Sequence, residues 1–336
     1  MVCVACSAET VGDYCRQCGA EPRLQGRYAL MTALGRGGVG VTWRARDEIS
    51  GDRVAIREIT LQPDAIEAHL VAWREANALR ALHHPNLANL REAFLAGRGR
   101  TRALWLVQDL IEGTSLAQES LAMRHTTDEV LGIAAVALDL LNYLHSQGVV
   151  YRDLKPANLL RREGDGRILL VDLSAARKSV VEASLGGHIV AGTFGYMAPE
   201  QFTGEATPAT DLYGLGVTMI VLLTRMDPRA MLTGQGRLDW EPHVRVPEPV
   251  RGLLRSLLEP DPRRRAPSAA AVRARILAIR EELPHLEAVE AARIPPAPTR
   301  RWTPPAPAPA EPPRGALPRA ADFVRALWWS VGSLSA

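Results

Sequence analysis

Lysine is nearly absent from this chain. Of its 40 lysines and arginines, only Lys155 and Lys178 are lysine. No ammonium precedes residue 155, so an early cation such as Arg36, Arg44 or Arg57 acts only as a guanidinium. An excess of one charge is also missing. The 37 acidic residues leave a net charge of +3, which points to no polyanionic partner. Long apolar runs are lacking too. The most apolar helix candidate, Asp211–Thr224, is too short to span a bilayer and starts on an aspartate, so it reads as a buried core helix. Cysteine is confined to four residues within the first 18. No secretory signal precedes them, so a cytoplasmic location is expected rather than an oxidising one.

The four cysteines form two knuckles, Cys3-x-x-Cys6 and Cys15-x-x-Cys18, separated by eight residues. Four thiolates at this spacing match tetrahedral Zn²⁺ in a closed, structural site. Disulfides are the rival reading, but the stretch is too short for a disulfide-rich domain. A redox pair would want a βαβ setting that is not there. Four cysteines also leave no histidine needed as ligand. Residues 1–27 set Arg16, Arg23 and Arg27 against Glu9, Asp13 and Glu21, so no basic patch suggests nucleic acid.

The densest chemistry lies in Tyr151-Arg152-Asp153-Leu154-Lys155-Pro156-Ala157-Asn158. An aspartate, a lysine and an asparagine fall within six residues, after the apolar, helix-spaced run Thr127–Gln147. Asp172 follows at the end of Ile168-Leu169-Leu170-Val171. A strand–loop–strand of this kind delivers a base, a cation and two oxygen ligands to one place. Phosphoryl transfer needs that set: a group to orient a hydroxyl, a charge for the phosphate, and Mg²⁺ ligands.

The segment resembles the catalytic loop H-R-D-L-K-P-x-N of eukaryotic-type (Hanks-type) protein kinases, with Tyr151 in place of histidine. The resemblance runs over roughly residues 28–280. Leu34-Gly35-Arg36-Gly37-Gly38-Val39-Gly40 is similar to the glycine-rich loop, whose backbone approaches phosphate closely. Val54-Ala55-Ile56-Arg57 stands at the strand that normally carries the phosphate lysine, and Glu75, in the helical stretch Ala72–Leu82, at that lysine's partner. His84-Pro85-Asn86 reads as the turn after this helix, and Leu106–Gly113 as strand five entering the interlobe hinge. The resemblance implies an α+β bilobal fold binding ATP and Mg²⁺. Nucleotide contacts are expected from Leu34, Gly35, Gly37, Gly40, Thr42, Ala55, Arg57, Glu75, Leu160 and the hinge backbone near Asp109 and Ile111. Asp153 would orient the hydroxyl of a protein serine or threonine. Lys155 would steady the γ-phosphate, and Asn158 and Asp172 would hold Mg²⁺. Glu200, of Ala198-Pro199-Glu200, and Arg265 would form a buried ion pair, and Asp211 would brace the catalytic loop. His145 reads as packing or surface. The cysteine stretch, residues 1–22, is similar to zinc ribbons that precede some bacterial serine/threonine kinase domains.

Two departures bear on activity. Arg57 replaces lysine, and Leu173-Ser174 replaces Phe-Gly after Asp172. Arginine is planar and forks onto carboxylates, so it is expected to pair with Glu75 while placing phosphates differently from lysine. A scaffold without catalysis is therefore the rival function. Residues 173–200 would be the activation segment, with Ser179 and Ser184 as candidate phosphate acceptors against their plainer reading as solvated loop serines, Arg152 as a cation that could receive the phosphate, and Thr193 as a substrate-positioning hydroxyl. The expected domains are the ribbon, a kinase domain over 28–283 (lobes 28–111 and 114–283), and a Pro/Ala-rich linker over 284–318. A tail over 319–336 holds Phe323 to Trp329, which could dock on a partner or membrane surface but is too short to span one.

Overall fold

The computed structural model describes residues 1–37, 40–60, 66–98, 101–173, 176–178, 192–234 and 237–293. The glycine-rich tip at Gly38 and Val39, Ser174, Ser179, Ser184 and everything from residue 294, including the expected tail, lie outside them.

The N-terminal knuckles are built alike. Ser7 N–H bonds Cys3 C=O and Gly19 N–H bonds Cys15 C=O, both at 2.8 Å. Each turn puts its fifth residue at positive φ, Ser7 at 59° and Gly19 at 70°. Backbone joins the ribbon to the strand that begins at Tyr28: Val2 N–H donates to Leu30 C=O at 2.7 Å.

Five antiparallel strands form a sheet in spatial order β1-β2-β3-β5-β4: β1 Tyr28–Gly37, β2 Gly40–Asp47, β3 Arg53–Thr60, β4 Leu90–Arg98 and β5 Thr101–Asp109. Side chains alternate between faces with period two. Val54 and Ile56 of β3, with Ala103, Trp105 and Val107 of β5, point to one face. There they join Leu24, Tyr28 and Leu30, and Val2 and Val4 of the ribbon pack on them. Leu104 and Leu106, on the opposite face, belong to the main core with Ala76 and Leu79 of α1, Ile66–Leu79. Ala55 and Arg57 have the same parity as that inner face, so alternation turns them away from the ribbon.

The rest is helical. After β6 (Gly113–Ser115) come α2 (Leu116–Ala122) and α3 (Thr127–Ser146). Both start with a capping box, Ser115 with Gln118 and Thr126 with Glu129. The Tyr151–Asn158 loop, expected to be catalytic, lies between β7 (Val149–Val150) and β8 (Leu159–Arg162), and β9 (Ile168–Leu170) leads to Asp172. A two-residue strand β10, Arg177–Lys178, pairs with β7. Helices α4 (Pro208–Thr224), α5 (Glu248–Leu257) and α6 (Ala269–Arg293) complete the chain described. As expected, α4 is buried almost throughout. No helix among the described residues is long and apolar enough to cross a membrane.

One expected boundary is corrected. The linker is expected from Pro284 onward, yet α6 runs through Pro284 to Arg293. Strong helix formers on both sides, Arg280-Glu281-Glu282-Leu283 and His285-Leu286-Glu287-Ala288, outweigh the one missing N–H.

Candidate active site

Asp211 organises the catalytic loop from below. It is fully buried on α4 and accepts three bonds: Tyr151 N–H at 2.9 Å, Arg152 N–H at 2.7 Å and His145 Nε2 at 2.8 Å. Holding two successive N–H groups lets Arg152 keep φ at 72°, the left-handed region that L side chains avoid. His145, expected as packing or surface, is thus tied to the loop's anchor; nothing in the local sequence signals a contact with a residue 66 positions later.

The loop is also fastened to the Asp172 strand. Tyr151 is fully buried, burial raises its hydroxyl well above the usual phenol range, and the retained proton donates to Val171 C=O at 2.7 Å. Val171 N–H donates to Asn158 C=O at 2.9 Å. Asp172 has φ of 67°. Tyrosine in the first loop position therefore supplies a polar tie through its hydroxyl while filling the core with its ring.

Asp153 sits at the centre. Its Oδ1 accepts from Thr193 Oγ1 at 2.6 Å. Its Oδ2 faces Lys155 Nζ at 2.6 Å and Asn158 Nδ2 at 3.1 Å. Lys155 also reaches Thr193 Oγ1 at 2.5 Å. Asn158 spends its amide NH₂ on Asp153, with a second bond to the Asp153 C=O at 2.9 Å, which leaves the amide oxygen as its ligand atom. Asp153, Lys155, Asn158 and Thr193 form one hydrogen-bonded cluster, while Asp172, the fourth residue of the expected catalytic set, pairs with Arg57.

Arg57 behaves differently from expectation. Its Nη1 pairs with Asp172 Oδ2 at 2.9 Å and donates to Thr42 Oγ1 at 3.2 Å, whereas the expected partner was Glu75. The guanidinium is longer than an ammonium, and its outer nitrogens carry it past the position a lysine would take. Its Nε is buried without a hydrogen-bond partner among the described residues. Glu75 is buried on α1.

The remaining expected nucleotide contacts fall on β1 (Leu34, Gly35, Gly37), β2 (Gly40, Thr42), β3 (Ala55), β8 (Leu160) and the hinge. Gly40 is required: φ is 155°, and a Cβ there would lie 1.7 Å from Glu58 C=O. In the hinge, Asp109 has spent its N–H on Asn89 C=O at 3.0 Å, and its carboxylate is held by Arg91 and Asn89, so that N–H is not open to a base. One contact that sequence reasoning missed ties β2 to the hinge. Arg44 forks onto both oxygens of Glu112 at 2.7 and 2.8 Å, while Glu112 C=O accepts from Glu163 N–H beyond β8. Glu200 and Arg265 form the expected buried pair, at 2.7 and 3.0 Å.

The four cysteine Sγ atoms lie within 4.8 Å of one another, with Cys3–Cys18 at 3.8 Å and Cys6–Cys15 at 3.6 Å. Thiolates about 2.3 Å from a central zinc in a tetrahedron stand about 3.8 Å apart, so the donor set fits that ion.

Residues 28–276 match the protein kinase domain family. The chain is 33% identical over 277 residues to serine/threonine-protein kinase B of Synechocystis sp., covering 77% of this chain and 47% of that protein. To serine/threonine-protein kinase D of the same organism it is 31% identical, covering 73% and 51%. To serine/threonine-protein kinase PknA of Mycobacterium tuberculosis it is 32% identical over 323 residues, covering 89% and 69%. The chain thus spans about half the length of the two Synechocystis relatives.

Proposed function

The chain belongs to the protein kinase domain family, and from that premise we propose that it transfers the γ-phosphate of ATP to a serine or threonine hydroxyl of a protein. The observation that carries the reading is the Thr193–Asp153–Lys155 cluster. A hydroxyl already donates to Asp153 at 2.6 Å with the Lys155 ammonium 2.5 Å from the same oxygen. An acceptor hydroxyl taking the place of Thr193 would be oriented by the carboxylate. The ammonium beside it would compensate the charge of the arriving phosphoryl group.

Asp172 and the amide oxygen of Asn158 are the proposed Mg²⁺ ligands; the bound ion supplies charge neutralisation between the phosphates. Arg57 stands at the position of the phosphate lysine and pairs with Asp172. Zn²⁺ held by Cys3, Cys6, Cys15 and Cys18 would be a structural cross-link. Thiols held for a metal instead of paired as disulfides would suit a cytoplasmic location.

A radiolabel assay with ATP, run with Asp153→Asn as control, tests the proposal. Transfer by the native chain that falls about 10²–10⁴-fold in the variant is the expected result. A second reading, a scaffold that does not transfer phosphate, is favoured by the Arg57–Asp172 pair, because a carboxylate held by a guanidinium is a weaker metal ligand. No transfer by the native chain would establish that reading instead.

A further inference from the structure

An open groove adjoins the catalytic loop. Its lining includes Pro156, Thr193, Phe194, Leu121 of α2 and Arg225, the residue after α4. Thr193 links the groove directly to Asp153. Leu121 and Phe194 are exposed large apolar side chains, 78% and 59% accessible. Apolar surface of that size beside a reactive carboxylate suits a transient partner better than permanent exposure.

The charges in the groove are not balanced. Asp227 is engaged by Arg229, whose Nε lies 2.9 Å from Oδ2, and Asp153 is engaged by Lys155. Among the described residues, Arg225 has no carboxylate partner; its Nη2 donates to Leu121 C=O at 2.7 Å. Its backbone is unusual as well. Arg225 caps α4 in the left-handed conformation, with φ of 63° and its N–H on Val221 C=O at 2.7 Å. Glycine takes that position without steric cost, so an arginine there spends backbone strain to present a guanidinium.

Building on the kinase reading, we propose that the groove seats the acceptor segment of the protein substrate and that Arg225 selects an acidic side chain flanking the serine or threonine. Phe194 and Leu121 receive an apolar neighbour in the same segment. A guanidinium recognises a carboxylate through paired N–H donors, and a basic flanking residue would meet Arg225 with like charge.

The test uses fluorescent threonine peptides in which one glutamate is walked through the flanking positions, each compared with its glutamine counterpart. Binding to the full chain is read by anisotropy, and label transfer from ATP is measured in the same samples. A glutamate peptide is expected to bind about three- to tenfold tighter than its glutamine twin at one or two positions, with the advantage shrinking as salt rises. Arg225→Gly should abolish the preference while the melting temperature holds or rises, because glycine suits the cap. Arg225→Glu should shift the preference to a lysine peptide. Equal binding of every pair, or a glutamate preference that survives Arg225→Gly, would overturn the assignment. Transfer without a preference rejects this inference and leaves the kinase reading standing; a preference without transfer does the reverse.

Discussion

Arg57 Nη1 and Asp172 Oδ2 lie 2.9 Å apart, so the cation expected at the nucleotide phosphates is paired with a carboxylate expected to hold magnesium. Each is only partly exposed, 18% and 15% by side chain, so solvent screens the pair incompletely. If nucleotide and metal bind as proposed, they meet this pair, and two variants measure how much that matters. Arg57→Lys should keep or raise kcat/KM, because an ammonium leaves Asp172 more open to the ion. Arg57→Ala should lose about 2–4 kcal/mol of transition-state stabilisation, the usual worth of one charge-assisted contact at a reacting centre. If native, Lys and Ala forms show equal, negligible transfer and no Mg-ATP-dependent rise in melting temperature, the scaffold reading holds.

The ribbon should bind one zinc per chain and should lose it in Cys3→Ser plus Cys18→Ser. Val2 and Val4 pack on the outer sheet core, so releasing the knuckles exposes apolar surface on the strands. Loss of that packing is worth about 2–3 kcal/mol. A domain of this size loses about 2–4 °C of melting temperature per kcal/mol, so chelation should lower it by about 4–12 °C. Zinc content and melting curves, with and without chelator, check both. A metal-free chain with an unchanged melt would show that the sheet needs no cover.

Asp47 gives a prediction in pH. Arg27 forks onto it at 2.6 and 2.8 Å, and Ile49 N–H donates to it at 3.0 Å. The Arg27 bonds come first among the causes that hold its carboxyl well below the usual carboxylate range. A folded-state pKa below the unfolded one adds stability above about pH 4, and that stability fades as pH falls toward the folded value. Asp47→Asn should therefore cost about 1.5–3 kcal/mol at pH 7. The gap to the native chain should narrow steadily below pH 4. Urea unfolding at both pH values measures it, and a gap independent of pH would reject the assignment.

How far the sequence speaks depends on the range of the contact. The Asp153–Asn158 loop, Asp172, the cysteine knuckles and the buried character of α4 are local patterns, and residue spacing carries them. The Glu200–Arg265 pair was reached through family resemblance, since nothing near either residue signals it. The Arg57–Asp172 pair was missed because spacing identifies the strand but not which of two carboxylates a long guanidinium reaches. The linker boundary at 284 follows a shift in composition, and composition does not show that the helix formers on both sides of Pro284 carry α6 through it. Arg44–Glu112 and His145–Asp211 join residues 68 and 66 positions apart, and neither half is distinctive alone.

The sharpest structural prediction concerns Asp211, whose two oxygens take Tyr151 N–H, Arg152 N–H and His145 Nε2 with no exposure to water. In Asp211→Asn the amide NH₂ must point at one of those donors, so one backbone N–H is left buried without an acceptor. That costs about 1.5–3 kcal/mol, and the left-handed Arg152 backbone loses what holds it. The first consequence is stability. The second is placement: Asp153 is the next residue, so a shift at Arg152 moves the carboxylate relative to Lys155 and Thr193. The nucleotide contacts expected on β1–β3 and the hinge are on other elements and should be spared. Asp211→Asn should therefore lower kcat at least tenfold with KM for ATP within about twofold of native, since misplacement of a reacting group by a fraction of an ångström is costly while binding is not. Loss confined to the melting temperature, with kcat intact at a temperature where the variant is folded, would show that Asp211 only stabilises the lobe and does not position Asp153, the proposed catalytic aspartate.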